Sequence, residues 1–212
     1  PVPEDILATM STPMMNHRGP QFKELLYRVT DGVKQVFDTS NDLYILTSSG
    51  TSAMEAAIVN TLSPGDKVLN VSIGSFGDRF CQIAKIYGAD VTELSFPWGD
   101  AVEIDALRDA LKADPGIGTV LVTHNETSTG VASRIPLVRH AIDHARHPAL
   151  FVVDTISSLA SIDYRHDEWS VDVTVGASQK GLMLPPGLSF NALSEKALAA
   201  HAHATLPRAF WD

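Results

Sequence analysis

Five consecutive apolar residues, Ala149-Leu150-Phe151-Val152-Val153, end abruptly in Asp154-Thr155-Ile156-Ser157-Ser158. A run without polar alternation suits a strand covered on both faces, as in a parallel sheet held between two layers of helices. Similar short runs place further strands at 43–47, 67–71, 91–96, 119–123, 171–175 and 188–192, with helical periodicity between them. Pro20 opens one helix, in which Phe22, Leu25, Leu26, Val29, Val33, Val36 and Phe37 recur at three- and four-residue steps and predict a buried face. Others carry Phe80, Ile83, Ala84 and Tyr87, then Ile104, Leu107 and Leu111, then Ile135, Val138, Ala141, Ile142 and Ala145, and a last helix of 195–202 is capped by Ser194. The repeated order of strand, polar turn and helix predicts one three-layer α/β/α domain with a mostly parallel sheet.

Such sheets collect ligand contacts at the carboxyl ends of their strands, so the residues there are the candidates for chemistry. Asp154 ends one apolar run, and a buried carboxylate in that position is costly without a cationic or hydrogen-bonding partner. A second strand end reads Gly176-Ala177-Ser178-Gln179-Lys180-Gly181, which delivers a lone lysine to the mouth of a buried strand. A lysine partly desolvated there has its pKa lowered and becomes a usable amine nucleophile. An acid strand end and a lysine strand end together form the pairing that pyridoxal 5'-phosphate requires, a Schiff-base lysine and a partner for the pyridinium nitrogen.

Two more turns could join them. Ser48-Ser49-Gly50-Thr51 precedes a helix for which Ser52 and Glu55 suggest a capping box, and the turn is an anion site in which Ser49, Gly50 and Thr51 could hold a phosphate. Phe76, between Gly74 and Gly77 at the start of another helix, could stack on a flat heteroaromatic ring. The strand end at Thr123 carries the polar cluster His124-Asn125-Glu126-Thr127-Ser128-Thr129-Gly130.

Taken together, Asp154-Thr155-Ile156-Ser157-Ser158, Gly176-Ala177-Ser178-Gln179-Lys180, Pro185-Pro186-Gly187 and these three turns, in this order and spacing, resemble the class V aminotransferases of fold type I. The likeness is greatest to the alanine/serine-glyoxylate (serine-pyruvate) branch and covers almost the whole chain. It implies that residues 1–212 are the large pyridoxal-phosphate-binding domain of a homodimeric, cytoplasmic enzyme whose small domain lies outside this chain. It implies transamination of serine or alanine with glyoxylate or pyruvate through an aldimine on Lys180, with Asp154 on the pyridine nitrogen. Phe76 and Ile156 would pack on the two ring faces, Thr127 (or Ser128, one residue on) would meet the phenolic oxygen, and Gln179 would join Ser49, Gly50 and Thr51 on the phosphate. A 2-aminoethylphosphonate-pyruvate transaminase, a cysteine desulfurase or lyase of the same fold, and a cofactor-binding domain without turnover share most of these motifs.

Other classes are disfavoured. A net charge of -9 over 212 residues argues against a nucleic-acid surface, which would be basic and clustered. One cysteine, Cys81, excludes an internal disulfide framework, and its place on a helix beside the apolar stripe suggests an inert thiol. No apolar run approaches the roughly 18 residues of a membrane span. His140, His144 and His147, like His201 and His203, suit helix ends better than a metal site. The chain lacks a Walker loop, a dinucleotide-binding glycine fingerprint and a serine-hydrolase elbow.

Overall fold

The computed structural model describes residues 2–212. In chain order the elements are α1 (Glu4–Met10), α2 (Pro20–Phe37), β1 (Asp42–Leu46), α3 (Gly50–Thr61), β2 (Lys67–Ser72), α4 (Ser75–Ile86), β3 (Asp90–Ser95) and α5 (Ile104–Ala113). They continue with β4 (Thr119–Thr123), β5 (Asn125–Glu126), β6 (Val131–Ala132), α6 (Ile135–His144), β7 (Leu150–Asp154), β8 (Val173–Ala177), β9 (Ser189–Leu193) and α7 (Glu195–His201). Seven strands form one sheet in the order β1-β9-β8-β7-β4-β2-β3, and β5 and β6 form a separate two-stranded ribbon. The neighbours from β8 to β3 are all parallel, while β9 runs antiparallel to both β8 and β1, so the sheet is mostly parallel as expected. β9 reverses because its connection from β8, residues 178–188, is made of turns, Pro185-Pro186-Gly187 among them, and carries no crossover helix.

The continuous apolar runs mark the strands buried on both faces. Every residue of β4, β7 and β8 is buried. Phe151, Val153, Val120 and Val122 pack with α5 and α6 on one side, and Val152, Leu121, Val173 and Val175 pack with α3 and α4 on the other. Side chains alternate between faces along each strand, which is why one run feeds two separate clusters.

Two expectations are corrected. The apolar stripe of α2 is not core along its length: Leu26 is 42% and Val29 40% exposed, Phe37 alone is fully buried, and Val33 and Val36 are partly buried where the helix end docks on the sheet. Periodicity reports a helix with an apolar face, and it cannot say whether a neighbour covers that face. The helix expected to be capped by Ser52 starts three residues earlier. Ser49 is the cap, its Oγ accepting from the Ser52 amide at 3.4 Å. The capping box fails because the turn tightens immediately after β1, which leaves Ser52 inside the first helical turn.

Candidate functional site

The parallel register brings the candidate strand ends to one rim. Thr123 pairs with Asp154 and Asp154 with Val175, so the turns that follow β4, β7 and β8 leave the sheet side by side. Ser189 of β9 lies opposite both Ala177 and Leu46, which places the turn after β1 at the same edge. Chain order turns back at β2: β3 lies on one side of it and β4 on the other. A reversal of this kind opens a crevice at the carboxyl ends of the two strands. The turns that enter that crevice carry Phe76 and Glu126.

Asp154 is 3% exposed, and its one hydrogen bond is accepted by Oδ1 from the Ile156 amide at 2.8 Å. Burial pushes its carboxyl up to about 7; the Ile156 amide pulls it down, the Glu126 charge raises it and Arg79 lowers it. A buried acid so poorly compensated would be stabilised as an anion by a cationic group placed beside it. On the next turn Ile156 is half-buried, and it closes against Gly50. A Cβ built at Gly50 would lie 2.5 Å from Ile156 Cδ1 and 3.3 Å from Ala177 Cβ, so the 49–51 turn abuts the ends of β7 and β8. Helix geometry leaves the Gly50 and Thr51 amides without intrahelical acceptors, and the Thr51 side chain stands beside them half-buried. These donors and the helix dipole favour an anion.

The loop after β8 is held by Ser178, which is fully buried. Its hydroxyl donates to the Pro185 carbonyl at 2.7 Å and accepts from the Leu188 amide at 3.3 Å. The loop so closed presents Gln179 and Lys180 on the rim. Gln179 Oε1 is buried without a partner, a polar group waiting for a ligand by the usual rule of satisfaction. The Lys180 side chain is exposed, which corrects the expectation of a partly desolvated amine: none of the described residues covers the rim at that point.

Across the crevice, half-buried Phe76 is the second residue of α4, and the Arg79 guanidinium lies 5.1 Å from its ring centre. Thr127 and Ser128, open alternatives in the sequence, differ here. The Ser128 hydroxyl is committed, donating to Glu126 at 2.8 Å and accepting from the Ser75 amide at 3.1 Å. Thr127 is exposed, and its hydroxyl has no hydrogen bond among the described residues. Asn125 and Ser157 tie the ends of β4 and β7 together, the Asn125 amide donating to Ser157 Oγ at 2.9 Å and Ser157 Oγ to the Asn125 carbonyl at 2.8 Å.

Glu126 went unassigned in the sequence and is the most heavily bonded side chain at the rim. It is fully buried and accepts from the amides of Phe76, Gly77 and Ser128 and from the Ser128 hydroxyl. Its two partners on α4 lie some 50 residues upstream, so spacing gives no signal of the contact. Cys81 is buried within α4, and its thiol is pushed up by burial, as befits an unreactive core group. His147 stands beyond α6, not in its last turn, with ring contacts to the Asp114 carbonyl and the Ala149 amide. Among the described residues no helix is long and apolar enough to cross a membrane.

Residues 6–206 match the family model described as Aminotransferase class-V. The chain is 47% identical over its full length to the L-aspartate–glyoxylate aminotransferase of Paracoccus denitrificans, covering 54% of that protein. It is 41% identical to the serine–glyoxylate aminotransferase of Methylorubrum extorquens, with 94% of this chain and 50% of that protein aligned. The solved alanine–glyoxylate aminotransferase of Nostoc sp. superposes with a TM-score of 0.94 at 32% identity, over 100% of this chain and 56% of that one. The chain thus spans about half the length of these relatives.

Proposed function

The chain belongs to the class V aminotransferase family, and from that premise we propose that it is the large, cofactor-binding domain of a homodimeric glyoxylate-dependent transaminase that uses pyridoxal 5'-phosphate. The observation that carries the reading is Asp154, a buried acid with a single amide donor, set on the same rim as Lys180 and the 49–51 turn. The aspartate–glyoxylate and serine–glyoxylate aminotransferases at 47% and 41% identity, with the solved alanine–glyoxylate enzyme at 32%, support an amino donor among aspartate, serine and alanine and glyoxylate as acceptor.

The residues present fit the cofactor. Asp154 lacks the cation that a pyridinium would supply, Gln179 has an orphaned buried acceptor, and the Gly50 and Thr51 amides at the start of α3 lack intrahelical acceptors that a phosphate could replace. When bound, pyridoxal phosphate supplies an electron sink for the bonds of the substrate α-carbon. Asp154, once ionised, would hold a proton on the pyridine nitrogen. Phe76 and Ile156 would confine the ring, and Thr127 would offer its hydroxyl to the phenolic oxygen. Ser49, Gly50, Thr51 and Gln179 would hold the phosphate. Lys180, exposed on its tethered loop, would hold the cofactor covalently and would be the group that moves a proton at the substrate α-carbon. Cys81, buried in α4, is not placed to serve as the mobile thiol that a cysteine desulfurase needs.

The test is a panel of aspartate, serine, alanine and 2-aminoethylphosphonate offered with glyoxylate or pyruvate to the full-length protein. Glyoxylate-dependent turnover that vanishes in Lys180→Ala is the expected result. Turnover unaffected by Lys180→Ala would sink the assignment.

A further inference from the structure

Glu126 is the one rim residue whose bonding exceeds any need of its own loop. Its Oε2 accepts from the amides of Phe76 at 3.0 Å and Gly77 at 3.1 Å, and its Oε1 from the Ser128 amide at 3.1 Å and the Ser128 hydroxyl at 2.8 Å. One oxygen therefore serves α4 and the other serves the loop after β4, across the crevice between β2 and β4. Four donors satisfy both oxygens of an ionised carboxylate, and two of them are first-turn amides at the positive end of a helix. The chain is built around this side chain: a Cβ at Gly74 would lie 2.6 Å from Glu126 Cγ and 2.6 Å from Ser128 Oγ, so only glycine leaves room for the carboxylate to pass.

We infer that Glu126 is a positioning residue for the cofactor ring, a buried clamp that fixes the first turn of α4 and with it the orientation of the Phe76 ring. The inference rests on the functional reading above and extends it to a residue that touches no substrate atom. Phe76 hangs from one of the clamped amides, so any rotation of that turn tilts its ring away from the crevice. A glutamine cannot replace the carboxylate without loss. With one oxygen and one NH2 group, it must set two donors against the two helix amides or against the Ser128 donors.

The test is a double-mutant cycle on the full-length protein, with pyridoxamine 5'-phosphate as probe because it carries the ring and phosphate but forms no Schiff base with a lysine. Glu126→Gln should weaken binding about tenfold, and Phe76→Ala by a similar factor. The double variant should lose little more than either alone, because a clamp has nothing to position once the ring is gone. Amide exchange of residues 74–78 should rise in Glu126→Gln while the segments of β7 and β8 keep their protection. Ser128→Ala, which removes one donor and leaves the three amides, is the milder variant should Glu126→Gln fail to fold; it should show the same coupling at a smaller size. Fully additive losses in a wild type that binds the probe would overturn the clamp and leave the functional reading standing. A wild type that takes up no probe would overturn both.

Discussion

Two buried aspartates mark the two ends of the central strands, and they are treated in opposite ways. At the amino end, Asp172 accepts from the Phe151 amide at 2.8 Å, from Ser194 Oγ at 2.8 Å and from Lys196 Nζ at 3.2 Å. At the carboxyl end, Asp154 accepts from one amide and is pushed up to about 7. The first carboxylate is satisfied and binds the start of β7, the cap of α7 and a lysine into one knot. The second is left short of partners, which costs stability in the chain alone and is useful only where a ligand completes it. Structure-bearing and ligand-bearing ends of one sheet can therefore be told apart by how fully their buried charges are compensated.

The contrast predicts that substitutions at the two ends separate activity from stability. The largest effect on turnover belongs to Lys180→Ala, with a loss of about 10^2–10^4-fold or more, the range for a positioned proton-transfer group, and a melting temperature within a few degrees of wild type. Asp154→Asn should cost turnover on the order of a hundredfold yet raise the stability of the cofactor-free protein at and above neutral pH. The sign follows from linkage. The folded pKa of about 7 lies above the usual carboxylate value, so the contribution of Asp154 is fully present below about pH 4 and is lost as pH rises through 7. The asparagine variant has no such loss, and melting curves taken from pH 5 to 8 without cofactor should show its advantage growing with pH. An advantage that shrinks with rising pH would break the comparison at its centre.

Asp172→Ala should do the reverse. Removing the acceptor for three donors, one of them a lysine, should cost about 2–4 kcal/mol of stability, while affinity for pyridoxamine phosphate stays within about twofold. Two buried histidines add an acid limit of the opposite sign to that of Asp154. His124 and His166 are both pulled down to about 4, chiefly by burial. Each is held neutral in the fold, so its contribution is present above about pH 6.5 and is lost as pH falls towards 4. Wild-type stability should therefore drop below about pH 6, and the drop should be steeper in Asp154→Asn, where the gain of Asp154 on protonation is gone.

Much of this contrast is legible in the sequence. Asp154 stands out because it ends an uninterrupted apolar run, Lys180 because it follows a β-branched run and a few small residues as a lone lysine, and the register brings both strand ends to one rim. Other features are not legible in the sequence, for physical reasons. The helix at Gly50 began earlier than Ser52 and Glu55 suggested, since a capping box is a local pattern and the tight turn after β1 overrode it. The stripe of α2 predicts a core face that is largely exposed, because periodicity is silent on what, if anything, covers a face. Glu126 carried no signal because its partners on α4 come from some 50 residues away, and only the juxtaposition of β2 and β4 makes them neighbours.

The smallest expected effect tests whether the rim's tolerance is set by the ligand or by packing. In Gly50→Ala the new methyl group meets the Cδ1 and Cγ1 tip of Ile156 at 2.5 and 2.9 Å, atoms at the end of a side chain that can rotate, and Ala177 Cβ at 3.3 Å. Position 50 is the first residue of α3, where alanine is otherwise favourable, so strain and helix propensity should nearly offset and stability should change by no more than about 1 kcal/mol. Ile156, however, must turn towards the space assigned to the cofactor ring. A several-fold loss of pyridoxamine phosphate affinity with an unchanged melting temperature would place the cost on the ligand side of the rim. A protein that melts several degrees lower with its affinity intact would show instead that Gly50 serves packing, as Asp172 does at the other end of the sheet.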